Sequence, residues 1–175
     1  MVRIDRRTFL GVAGASVLGA GSGCLDRAAV VPLRETTLDG VGVVPLNVPE
    51  DANTVTTQVV GHRGPDDAFS GEAIGVIVAN GTTATAEVTI SIERRDLFSW
   101  TSLYEGHLGL AANTRVDFVL RDPATYRIRV STPDASGETK LSKSEFDCNE
   151  KAFSLVVTDE GVDQSSLSTT MGCGP

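Results

Sequence analysis

The chain has 175 residues, with 15 Lys and Arg against 23 Asp and Glu, a formal net charge of −8, 41% hydrophobic residues and three cysteines. That length allows one domain of ordinary size plus an appendage. The acidic balance argues against a nucleic-acid or acidic-membrane binder, both of which need a basic face to displace counterions, a mean hydropathy of +0.01 excludes a multi-span membrane protein, and the apolar fraction is too high for a disordered chain.

The charge is unevenly spread. Residues 1–23 hold Arg3, Arg6 and Arg7 against Asp5, whereas residues 24–175 carry 12 basic and 22 acidic side chains, a net of −10. Only Lys140, Lys143 and Lys151 are lysines. A carboxylate-rich, lysine-poor surface keeps a protein hydrated where salt screens long-range repulsion, so the composition is that expected of adaptation to high salt.

The first residues combine a positive start, a short apolar stretch diluted by Gly11, Gly14 and Gly19, and small residues ahead of Cys24. These are the parts of an export signal. Arg6-Arg7-Thr8-Phe9-Leu10 resembles the twin-arginine export motif, which routes folded proteins across a membrane. Asp5 stands where Ser or Thr is usual before the arginines, and Gly11 where Lys is common; the Arg-Arg-x-Phe-Leu core is intact.

Ser22-Gly23-Cys24 resembles the end of a lipobox, where a cysteine thiol receives a lipid and the chain is cut just before it. Gly21 replaces the usual Leu three residues before the cysteine. The resemblance implies a two-chain lipid on Cys24, which anchors a protein stably where a single acyl chain does not. Two other fates stay open: cleavage without lipid, or retention of Thr8–Leu25, 18 uncharged residues, as an anchor. Five glycines between positions 11 and 23 disfavour the latter as a spanning helix. Export signal and acidic mature chain together resemble an exported lipoprotein of a halophilic archaeon. With Cys24 lipidated, Cys148 and Cys173 remain as an even pair in a compartment that permits disulfides. They enclose 24 residues, and a bridge of that span stabilises by roughly 3 kcal/mol in the chain-entropy model. It would pin a Gly/Ser/Thr-rich tail, Ser165 to Gly172, that has no apolar pattern.

The resulting division is a signal over 1–23, a lipid-anchored tether over 24–40 without clear periodicity, and one domain over 41–175. Within that domain the apolar residues recur every second position: Val88, Ile90 and Ile92; Val116, Phe118 and Leu120, opposite a row of Arg115, Asp117, Val119 and Arg121; Tyr126, Ile128 and Val130; Phe153, Leu155 and Val157. Each such row sets one face on a core and one in water, the mark of half-buried antiparallel strands. Ile74 to Ala79 is apolar on both faces and suits a central strand. Strands at 54–60 and 97–104 bring the count to seven or eight, separated by turn signals at Gly64-Pro65-Asp66-Asp67, Asn80-Gly81, Asp122-Pro123 and Pro133 through Gly137. The expected fold is all-β, a two-sheet sandwich.

Leu120-Arg121-Asp122-Pro123-Ala124-Thr125-Tyr126 resembles the entry to the penultimate core strand of immunoglobulin-like domains, which implies that Tyr126 folds back to bond upstream backbone at the corner. The likeness spans 54–158 loosely and without the antibody Cys…Trp…Cys spacing, since Trp100 precedes both Cys148 and Cys173.

A blue-copper site needs two His, a Cys and usually an axial Met, with a Cys and a His close on one loop. His62 and His107 lie far before Cys148, and only Gly174 and Pro175 follow Cys173, so ligand order rejects copper. No zinc spacing, nucleophile elbow or phosphate loop occurs. The histidines flank glycines and read as loop-surface residues. Acidic clusters at Asp66-Asp67, Asp147/Glu150 and Asp159-Glu160…Asp163 match no calcium loop and read as solvated surface. Asn80-Gly81-Thr82 is an N-glycosylation acceptor sequence in an expected exposed turn, or equally an Asn-Gly turn.

With no catalytic residue, metal or cofactor indicated, the expected function is a non-enzymatic binding or structural module at the cell surface, partnered by the membrane through Cys24 and by another surface protein or a glycan. The alternative is an accessory solute- or metal-binding lipoprotein working beside a transporter.

Overall fold

In a computed structural model the described residues are 34–35 (backbone only), 42–61 and 72–170. Arg6, Arg7, Phe9, Leu10, Cys24, His62 and Cys173 therefore lie outside them. Ten strands carry the fold: β1 (Arg34–Glu35), β2 (Asn53–Val60), β3 (Ile74–Asn80), β4 (Ala86–Arg95), β5 (Trp100–Leu110), β6 (Thr114–Leu120), β7 (Tyr126–Ser131), β8 (Ser136–Leu141), β9 (Lys151–Thr158) and β10 (Gly161–Ser168). They form a six-stranded sheet in the order β1-β2-β6-β3-β9-β10 and a four-stranded sheet in the order β5-β4-β7-β8.

The protein is an all-β sandwich, and its core follows from the period-two rows. Val88, Ile90, Ile92, Ile128 and Val130 from the smaller sheet meet Val76, Val78, Val116, Phe118, Leu120 and Leu155 from the larger, all but free of solvent. Tyr104 meets Phe118 edge-on, ring centroids 4.9 Å apart. β3 is buried along its whole length, as a strand apolar on both faces should be, because the outer face of its sheet is also covered. There Val48, from the segment before β2, packs with Ile77, Ala79 and Val156.

That second cover corrects two expectations. Val156 was placed on the solvent row of β9 and is buried. Asp117, placed on the solvent row of β6, is fully buried; its carboxylate pairs with Arg115 Nε at 3.2 Å and accepts from Thr54 Oγ1 at 3.4 Å. Its register partner on β3 is Ile77, which lies beneath Val48.

Two pairings depart from the antiparallel rule: β2 with β6 and β3 with β9 run parallel. Side-chain alternation has the same period in both arrangements, so it does not separate them. Three strands were not anticipated. Arg34–Glu35, inside the expected tether, pairs with Val59 and Gln58 of β2. β8 begins at Ser136, within the stretch read as a turn. β10 occupies much of the supposedly patternless tail, paired residue for residue with β9 from Gly161↔Thr158 to Ser168↔Lys151. An edge strand gains its ladder from backbone groups and needs no apolar row. β10 closes the sandwich against β8 where Gly137 lacks a Cβ; one there would stand 2.6 Å from Val162 Cγ1. β5 starts later than expected and runs to Leu110, with a bulge opposite Ile92 and Glu93.

The corner implied by the immunoglobulin-like resemblance is present. Tyr126 is fully buried, donates its hydroxyl to the Asp122 carbonyl at 2.8 Å, and packs against Phe146 with centroids 5.9 Å apart. Burial first, and the nearby Asp122 second, hold its phenol well above the ordinary value of 10.0. In the unfolded chain the phenol ionises first, so stability is full below pH 10 and falls as pH rises above it, by about 1.4 kcal/mol per pH unit from this group. Tyr126→Phe should lose about 1 kcal/mol at neutral pH with the hydrogen bond and show a shallower alkaline decline than the parent. Urea midpoints between pH 8 and 11 check both.

Candidate interaction surface

The outer face of the four-stranded sheet carries a connected network of ion pairs. On β4, β7 and β8 the outward positions include Glu93, Arg127, Arg129, Glu138 and Lys140, and register sets Glu93 opposite Arg127 and Arg129 opposite Glu138. Opposite charges directly across a pair of strands are the favourable arrangement. Arg127 Nε donates to Glu93 Oε2 at 2.7 Å, Arg129 Nη1 stands 3.7 Å from the same oxygen, Arg129 Nε donates to Glu138, and Lys140 Nζ lies 3.2 Å from Glu138 Oε1. The Arg127 hydrogen bond holds the Glu93 carboxyl below the usual range, and that of Arg129 does the same for Glu138. Both therefore hold their charge to lower pH than a free carboxyl does.

Trp100, half-buried at the start of β5, borders this lattice. The Arg127 guanidinium lies 4.4 Å from its ring centroid and that of Arg95 lies 5.9 Å away. The one guanidinium therefore joins the ring to Glu93, which fixes both. Farther along the face, exposed His107 meets Thr89 Oγ1 through Nδ1 at 2.8 Å. It sits within β5 and not in a loop, correcting its expected position.

The other singled-out residues fall elsewhere. Asn80 ends β3 and is fully buried, which corrects the exposed acceptor. Its amide nitrogen donates to Ala84 O at 2.7 Å and to Leu110 O at 2.8 Å, while its oxygen accepts from Thr82 N and Oγ1. The nitrogen that a glycan would require is spent clamping the turn between the sheets. Asp147 belongs to no open acidic patch: Lys151 Nζ lies 2.8 Å from it and 3.2 Å from Glu145. That bond holds the Asp147 carboxyl low, and burial of Lys151 is outweighed by its two carboxylate partners, which keep the ammonium charged. Cys148 is half-buried just before β9, and Cys173, its expected partner, lies outside the described residues. Thr169 N donates to Glu150 O at 2.9 Å, so the chain after β10 runs beside Glu150. No group of three or more metal-ligating side chains stands together among the described residues, and no helix there is long and apolar enough to cross a membrane.

Fold and face together define an all-β sandwich domain with an ion-paired outer sheet. No family model and no curated protein matches the chain. Among solved structures, sea bream transthyretin in complex with thyroxine is similar at 12% identity and a TM-score of 0.41, over 57% of this chain and 98% of that one. Transthyretin from Sparus aurata is similar at 13% identity and a TM-score of 0.36, over 55% and 97%. Likenesses of this extent carry no functional argument.

Proposed function

We propose that the chain is a non-enzymatic binding module of the outer cell surface, exported through Arg6-Arg7-x-Phe9-Leu10, cut before Cys24 and held in the membrane by a lipid on that thiol. Supporting the address are the motif residues and the net charge of −10 over residues 24–175, suited to high salt. Cys148 pairs with Cys173 in this reading, because the strand ladder brings the chain at Thr169 beside Glu150, close to Cys148. The observation that carries the binding role is the Glu93–Arg127–Arg129–Glu138 lattice. It is a preordered, partly exposed array of alternating charge, flanked by an aromatic ring, and fits a protein or glycan surface of complementary pattern. Crosslinking on intact cells tests this: Arg129→Gln combined with Lys140→Gln should abolish the product formed by the parent while leaving the melting temperature within a few degrees. Undiminished crosslinking would reject this face.

A further inference from the structure

The turn between β4 and β5 presents Leu97 at 88% and Phe98 at 98% exposure, the one adjacent pair of large apolar side chains so exposed among the described residues. Its shape is fixed: Asp96 N donates to Ser99 O at 2.9 Å, and Thr101 Oγ1 donates to Asp96. The two side chains are thus held outward. Arg95 and Lys143 stand beside them, around a shallow hollow that Pro123 and Ala124 help to line, and Trp100 follows two residues on. Asp96 lines the same hollow and pairs with Arg94 at 3.5 Å, so the rim carries both signs of charge. An apolar tip beside an indole is what the interfacial layer of a bilayer accepts.

The topology sets this tip at a particular end of the sandwich. Arg94 pairs with Tyr126, Arg95 N donates to Thr125 O, and Arg121 N donates to Val60 O, so the tip shares an end with the close of β2. At that same end Arg34 pairs with Val59, which is where the N-terminal segment joins the fold. Cys24 lies ten residues earlier, at most about 35 Å away when fully extended. We propose that Leu97 and Phe98 insert into the bilayer that holds the Cys24 lipid, so that the sandwich stands on this end with its charged sheet face upright. The inference rests on the anchor reading above. Insertion of two side chains is weak alone, and the covalent lipid makes it intramolecular.

Trp100 is the single tryptophan, so its fluorescence reports on the tip. The membrane-extracted protein is reconstituted into phosphatidylcholine vesicles, with or without brominated acyl chains. Bromination should quench Trp100 in the parent. Leu97→Ser combined with Phe98→Ser should relieve that quenching while retention on the vesicles and the melting temperature are unchanged. Absence of quenching in a retained parent, or equal quenching in the double variant, would overturn the proposal and would be expected if the tip docks on a protein instead. Retention of Cys24→Ala decides the anchor separately: release supports the lipid, and continued binding refutes it whatever the quenching shows.

Discussion

Replacing Phe118 by alanine should destabilise the folded domain by about 3–5 kcal/mol. The side chain is wholly buried on β6, between β2 and β3, with Tyr104 edge-on to its ring at 4.9 Å. Removing it deletes buried apolar surface and leaves a cavity that strands hydrogen-bonded on both sides cannot collapse to fill. It also removes an aromatic pair worth about 0.5–1.5 kcal/mol beyond area. A domain of this size has roughly 5–15 kcal/mol in all, so the variant should be close to unfolded under conditions where the parent is stable. Phe98→Ala is the matched control. At 98% exposure that ring touches little, and its loss should move stability by no more than about 0.5 kcal/mol. Urea titration of the three proteins checks the contrast; equal costs at the two positions would mean that the core has been misassigned.

Cys24→Ala should move the protein from the membrane fraction to the medium. Two hydrocarbon chains hold a protein stably, whereas the remaining contacts, a two-residue tip among them, bind weakly and reversibly. The expected change is a near-complete redistribution, read by fractionating cells and blotting both fractions. A variant still wholly in the membrane would point to Thr8–Leu25 as the anchor and reject the lipid.

Much of the architecture was legible because half-buried strands must alternate. Val88-Thr89-Ile90-Ser91-Ile92 and Tyr126-Arg127-Ile128-Arg129-Val130 could face a core in only one way, and Ile74 to Ala79 could lie only in the middle of a sheet. β10 and β8 were hidden because Gly161–Ser168 and Ser136–Leu141 are held by backbone ladders at sheet edges, where polar residues serve as well as apolar ones. Asp117 was misjudged because nothing in the sequence announces that the segment around Val48 folds over the outer face of β3. Asn80 shows the same limit: its sequence fits both a glycan acceptor and a turn clamp, and only the positions of Ala84 and Leu110 choose between them. The charged face was not singled out from the sequence, although Arg127 and Arg129 alternate with the core residues of β7. Its lattice could not be read from spacing, because the register that sets Arg127 against Glu93 and beside Trp100 arises from pairing β4 with β7, with two whole strands between them in sequence.

The corner at Tyr126 links local sequence to global form more directly. Asp122-Pro123 ends one strand, and the tyrosine hydroxyl returns to the Asp122 carbonyl. That fixes the crossing from β6 in one sheet to β7 in the other, and with it the end of the sandwich that carries both the Leu97–Phe98 tip and the junction with the N-terminal segment.

The most direct test of the surface-anchor account is the intact, non-reduced mass of the protein extracted from membranes. The account predicts residues 24–175 plus a two-chain lipid, two hydrogens lighter for one disulfide. A lipid-free mass, or one that retains residues 1–23, would contradict it.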